Sequence, residues 1–175
     1  MSRHQARRDE ILGRVADHLL AVGIAGSSLR PLAQAAGVSD RMLLYYFRDK
    51  DEVLSLGLAR VAERLTVKLN AATAAQSLPL PALRKRLATL LLDDALWPYM
   101  QLWLEIASLS ARGEEPFRTI GTQLGHQFLA WGGAQLDPGK DEAERPRQAA
   151  ELLASVEGLV LLKSLGLSDE ARNAF

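Results

Sequence analysis

The chain has no cysteine, which excludes disulfides, thiolate metal sites and a cysteine nucleophile. Histidine is scarce: His4, His18 and His126 are all there are, and they have neither the spacing nor the company of metal ligands. No metal and no cofactor is expected. His18 lies along the apolar face of the first helix and reads as a satisfied core residue. β-Branched residues are sparse, and no segment sustains a two-residue alternation, so strands are not expected. The N-terminal stretch from Met1 to Val15 lacks the apolar core of a secretory leader. No apolar run is long enough to span a bilayer, and the one at 159–162 closes at Lys163. A soluble, cytoplasmic protein without a membrane partner is the expectation. A glycine-rich phosphate loop is missing too, because Pro138-Gly139-Lys140-Asp141 lacks both the leading glycine and the following hydroxyl residue. Asp93 and Asp94 are neighbours on the chain, so their carboxylates do not face each other, and a helix cap explains them better than acid–base chemistry. An enzyme is therefore disfavoured.

An excess of one charge is also absent overall, with 21 basic and 21 acidic residues. The distribution is uneven. Residues 1–50 hold eight basic and five acidic side chains, a net of +3, and the remainder is −3. Apolar residues make up 48% of the 175, enough for a substantial core. Helix signals dominate. The first helix is predicted over roughly 5–22, with Ile11, Val15 and Leu19 in period and Gly23 at the C-cap. Further helices are predicted over roughly 28–36, 40–46, 49–72, 82–93, 96–112, 115–135 and 145–166. Ser27 or Ser28 caps the second, with Pro31 in its first turn, and Ser39 caps the third. A loop is expected at 73–81, breakers at Gly113 with Pro116 and at Asp137 to Pro146, a kink at Pro98, and a frayed tail beyond Gly166.

Residues 27–50, SSLRPLAQAAGVSDRMLLYYFRDK, stand out. Ala33 is small enough for a helix crossing and Gly37 suits a left-handed turn. Leu29, Leu32, Val38, Leu43 and Phe47 fall inward at helical spacing. Arg41, Met42, Tyr45 and Tyr46 are left on the other faces of a two-turn helix, where core packing does not explain them. Tyrosine hydroxyls and an arginine guanidinium suit phosphates and base edges. Ser28, Arg30 and Ser39 near the two helix starts, and Lys50 at the entry to the fourth helix, complete the candidate DNA-binding set. This is the layout of a helix-turn-helix, whose second helix enters the major groove.

Ile11-Leu12, Gly23, Ser27-Ser28-Leu29, Leu32-Ala33, Ala36-Gly37-Val38-Ser39, Leu43, Tyr45, Phe47 and Lys50 resemble, in order and spacing, the N-terminal pattern of TetR-family (TetR/AcrR) transcriptional regulators. The likeness covers about residues 8–54. It implies an all-α fold: a three-helix DNA-binding head, a linking fourth helix, and a helical ligand-binding and dimerisation body. The domains expected are 1–48 and 49–175. The recognition helix departs from the family's usual form. Leu44 replaces an aromatic, Tyr46 replaces the usual histidine, Arg41 stands where glycine is common, and Met42 where a hydroxyl residue is common.

The body is read from its own residues. Trp97, Tyr99, Trp103, Phe117, Phe128 and Trp131 concentrate the aromatics. Such a cluster suits an apolar ligand pocket with a few polar anchors or an ordinary core. Trp97, Gln101, Trp103, Glu105 and Phe128 are the ligand-binding candidates, for a lipophilic small molecule. On the last long helix, Leu152, Leu153, Val156, Leu159 and Val160 form one stripe, while Leu161, Leu162 and Leu165 add a second side. With the Phe117, Ile120, Leu124, Phe128 and Trp131 stripe of the preceding helix, they suggest a homodimer through a four-helix bundle. The function expected is a ligand-responsive repressor that binds a palindromic double-stranded operator as a homodimer. The alternatives are a helical protein-binding adaptor and, less favoured, a small helical enzyme.

Overall fold

A computed structural model describes residues 3–73, 77–137 and 142–174. Among these residues the secondary structure is helical: α1 (Arg3–Val22), α2 (Leu29–Ala36), α3 (Asp40–Tyr46), α4 (Lys50–Thr73), α5 (Leu80–Leu91), α6 (Trp97–Ala111), α7 (Phe117–Gln135), a 3-10 turn (Glu142–Glu144), α8 (Arg145–Ser164) and α9 (Ser168–Asn173). The all-α fold expected from the sequence is the one observed. Among the described residues no helix is long and apolar enough to cross a membrane. Residues 74–76 of the expected loop lie outside the described residues, as does the 138–141 stretch weighed as a phosphate loop.

The residues pack as two units. One runs through Leu65 and includes Gln101–Gly121; the other combines Thr66–Met100 with the chain from Thr122 onward. Helices α4, α6 and α7 each supply residues to both. In the first unit, Ile11, Val15 and Leu19 of α1, Leu32 and Ala36 of α2, and Leu43 with Phe47 are buried, as are Val53, Leu54 and Leu58 of α4. Gly57 lets α4 close on α1, because a Cβ there would sit 2.7 Å from Val15 and 2.9 Å from Leu19. Arg8–Glu52 at 2.8 Å and Arg64–Asp17 at 2.6 Å also join these two helices. His18 departs from expectation: it is half-buried, and its Nε2 has no hydrogen-bond partner in the structure.

In the second unit, α5 packs on α8 and α8 on α9. Trp131 Nε1 donates to Asn70 Oδ1 at 2.7 Å. Leu78 joins the end of α7 by a single bridge, its N–H donating to the Gln135 carbonyl at 2.9 Å.

Two local expectations are corrected. Pro98 does not kink α6. It is the second residue of that helix, where a missing N–H has no intrahelical acceptor to lose. The tail beyond Gly166 is not frayed: α9 forms there, and its Ala171 is fully buried with Ala88 and Leu159. Six residues are too few for periodicity to announce such a helix, and burial of one small side chain stabilises it.

Candidate nucleic-acid interface

The residues between α1 and α4 build a helix-turn-helix from local rules. Ser28, extended at φ −74°, ψ 170°, starts α2, and its carbonyl accepts from Leu32 N–H at 3.1 Å. Ser27 is instead buried, its hydroxyl donating to the Gly23 carbonyl at 2.6 Å. Helix α2 ends at Gly37, with φ 68° and ψ 35°. There Gly37 N–H donates to Gln34 O and Val38 N–H to Ala33 O, both at 3.0 Å. That pair of bonds closes a Schellman motif, which needs a left-handed residue at its glycine position. Arg14 of α1 covers the turn, its Nη1 donating to the Ala36 carbonyl at 3.3 Å.

Helix α3 follows at once, with Val38 closing the turn and Ser39 as its N-cap. Ser39 is extended, and its hydroxyl accepts from Met42 N–H at 3.2 Å. This bond satisfies a donor that the helix start leaves open. Asp40 adds a carboxylate at the positive end of the helix dipole. The short helix is sharply two-sided. Leu43 is fully buried and Phe47 nearly so, while Arg41, Met42, Leu44 and Tyr45 are exposed. Tyr45 keeps 68% of its surface open. Tyr46 is half-buried. Ser28, Arg30, Ser39 and Lys50 are exposed too.

The entry to α4 is fixed by acid groups. Asp49 Oδ1 accepts from Glu52 N–H at 2.8 Å, and Glu52 Oε2 accepts from Arg48 N–H at 2.7 Å. The Arg48 guanidinium bonded to Asp49, followed by the Glu52 N–H, holds the Asp49 carboxyl below the ordinary range; the same pair raises Arg48. Glu52 also accepts from Arg8, whose guanidinium stacks 5.0 Å from the Phe47 ring centre. The end of α3 is thereby tied to α1 and α4 at once.

Sequence reasoning missed one residue of this region and gave a second a different role. His4, at the start of α1, sits with its ring centre 4.9 Å from that of Tyr46 and 6.0 Å from that of Tyr45. The two tyrosine rings are 5.2 Å apart, edge to face. Nothing in the local pattern of residues 1–10 signals this contact. Glu105 of α6 accepts from Ile24 N–H at 2.7 Å. It was expected as a ligand anchor, and its carboxylate holds the α1–α2 connection.

The remaining ligand candidates are dispersed between the packing units. Trp103 is half-buried and Gln101 exposed, both in the first unit with Glu105. Trp97 and Phe128, both half-buried, belong to the second. Lys163 Nζ lies 4.5 Å from the Trp97 ring centre, and also donates to the Leu92 carbonyl at 2.7 Å and to Asp94 at 3.0 Å.

With this geometry in view, residues 14–56 match the family described as bacterial regulatory proteins, tetR family. The chain is 26% identical over 165 residues to the HTH-type transcriptional regulator PksA of Bacillus subtilis, covering 90% of this chain and 78% of that protein. A transcriptional regulator from Rhodococcus sp. Rha1 superposes with a TM-score of 0.71 at 25% identity, over 95% of this chain and 90% of that one. A regulator from Saccharomonospora viridis, solved in complex with choline, has the same fold: TM-score 0.71, 18% identity, 97% of this chain and 93% of that one.

Proposed function

We propose that the chain, whose residues 14–56 match the tetR family of bacterial regulatory proteins and which resembles an HTH-type regulator along most of its length, is a DNA-binding transcriptional regulator, and that it acts as a homodimeric repressor of a palindromic operator, released by a small organic effector. Helix α3 carries the reading. Its inner side buries Leu43, and its outer side offers Arg41, Met42 and Tyr45 to a groove. Ser28, Arg30, Ser39, Tyr46 and Lys50 flank it as phosphate-contacting and positioning groups. Residues 1–48 are the DNA-binding head and 49–175 the effector and dimer body, acting in the cytoplasm where chromosomal DNA is reached.

The exposed line of α8 supports the dimer. Ala154, Gly158, Leu161 and Leu165 are all exposed at helical spacing, and a Cβ at Gly158 would meet nothing within 4 Å. The first stripe faces inward instead, with Leu152, Leu159 and Val160 buried. A helix apolar on both sides needs a second surface to cover the outer one. Two heads about 34–36 Å apart then read two half-sites of a palindrome. An effector in the body that favours another separation of the heads releases DNA, to the extent that it binds that state more tightly. The choline bound to the Saccharomonospora protein supports a small-molecule effector for this chain.

The test is selection of duplexes by the full-length protein from a randomised pool, followed by titration at several salt concentrations. A palindromic consensus whose affinity falls steeply with salt is expected, because Arg and Lys contacts displace condensed counterions. No selected sequence, or affinity flat in salt, would overturn the reading and favour a protein-binding adaptor.

A further inference from the structure

We propose that His4 is a positioning residue for the DNA-reading surface: its ring sets the orientation of Tyr45 and Tyr46 before DNA arrives. The inference rests on the reading of α3 as the recognition helix and adds α1's first turn to that surface.

The three rings form a closed set. His4 and Tyr46 are tilted at 39° with centres 4.9 Å apart, His4 and Tyr45 meet edge-on at 70° and 6.0 Å, and the tyrosines meet at 85° and 5.2 Å. All three separations fall in the range of favourable aromatic contacts, and the two edge-to-face pairs have a preferred geometry. Each ring therefore has two neighbours within this set. The contact also joins separate elements, since His4 lies on α1 and both tyrosines on α3. The neighbouring arginines have other employment. Arg7 pairs with Glu10 at 2.6 Å and Arg8 with Glu52 at 2.8 Å.

A tyrosine as exposed as Tyr45 samples several rotamers unless something holds it, and binding then pays for its ordering. A ring packed against it reduces that cost, and it also narrows the base step that the hydroxyl can reach. His4 thus acts on affinity and on selectivity without touching a base.

The experiment uses the full-length protein and a duplex selected by the wild type from a randomised pool. Variants His4→Ala, His4→Phe, Tyr46→Ala and the double variant His4→Ala/Tyr46→Ala are titrated against that duplex and against single-base variants of it, and their melting temperatures are recorded. His4→Ala is expected to weaken binding by roughly three- to tenfold, the scale of ordering one side chain at an interface, and to flatten discrimination between the duplexes, with a slight fall in melting temperature from the lost ring contacts. His4→Phe, which keeps the ring, restores both. In the Tyr46→Ala background, removing His4 costs less than in the wild type, because one of its two ring contacts is already gone. Unchanged binding by His4→Ala, or a His4→Phe variant as weak as His4→Ala, overturns the inference. So does a loss from His4→Ala that is the same with and without Tyr46. If the wild type selects no duplex, the DNA-binding reading itself falls and takes this inference with it.

Discussion

Replacing Gly37 with alanine probes the helix-turn-helix where backbone geometry and side-chain packing meet. The residue sits at φ 68°, ψ 35°, a left-handed conformation that costs an ordinary L-residue roughly 1–2 kcal/mol. A Cβ there would lie 2.5 Å from Arg14 Nη1, so the guanidinium must withdraw. Withdrawal gives up its 3.3 Å bond to the Ala36 carbonyl. That bond is long, and the Arg14 side chain is 47% exposed, so its loss is worth about 0.5 kcal/mol, the low end for such bonds. Alanine also reduces the freedom of the unfolded chain, which returns about 0.4–1 kcal/mol. The net expectation is a loss of about 0.5–2 kcal/mol. Gly37→Asn should cost less, because asparagine visits the left-handed region more readily. In an Arg14→Ala background the steric part disappears, and the two changes should fall short of additive by about 0.5 kcal/mol. Urea-unfolding midpoints of the wild type, the three single variants and the double variant measure all three quantities. A Gly37→Ala variant as stable as wild type, or an asparagine variant no better than alanine, refutes the reasoning.

Tyr45→Ala should leave stability within about 0.5 kcal/mol, because the side chain is largely exposed, while operator affinity falls roughly tenfold or more by fluorescence anisotropy; parallel losses of stability and affinity would place Tyr45 in the core. Leu161→Glu with Leu165→Glu puts two charges on the exposed line of α8, and sedimentation should then report a monomer with weakened operator binding; an unchanged mass removes α8 from the dimer surface. The Asp49 carboxyl is held below its ordinary pKa, chiefly by Arg48. Its contribution is therefore complete above the unfolded value and lost as pH falls through the lower, folded one. Unfolding midpoints of wild type should decline in acid, at and below the ordinary carboxylate range, with an excess slope that Asp49→Asn lacks; identical slopes count against this cap.

How far the sequence discloses the structure depends on the distance between cause and effect. Gly37, Val38 and Ser39 act on neighbours within a few residues, so the turn and both caps are legible from order alone. Leu32, Leu43 and Phe47 are legible because helical spacing puts them on one side, and all three are buried. Helix α9 was hidden because its support, Ala171 against Ala88 and Leu159, spans distant segments. Pro98 misled because the same residue breaks a helix interior and suits a helix start, and only the boundary at Trp97 decides between them. The aromatic-rich stretch is legible as composition. The division of Trp97 and Phe128 from Trp103 and Glu105 between packing units depends on where along α6 and α7 the packing passes from one unit to the other, which no periodicity specifies.

The end of α1 has a consequence for which parts of the chain can change separately. Among the described residues, α2, α6 and α8 close on themselves: the N–H groups of Val38, Glu114 and Leu167 return to Ala33, Leu109 and Leu162 of their own helices. Helix α1 does so only in part. Gly23 N–H returns to Leu19 at 3.0 Å, but the next amide, Ile24, is given to Glu105. Gly23 stands at φ 76°, and a Cβ there would run into the same carboxylate. The stop signal of the first helix is thus written in two places, one of them 81 residues beyond Ile24. A side chain at residue 23 would displace the Glu105 carboxylate from this position. A fragment cut after α4 would carry the whole helix-turn-helix and still leave the end of α1 unfinished.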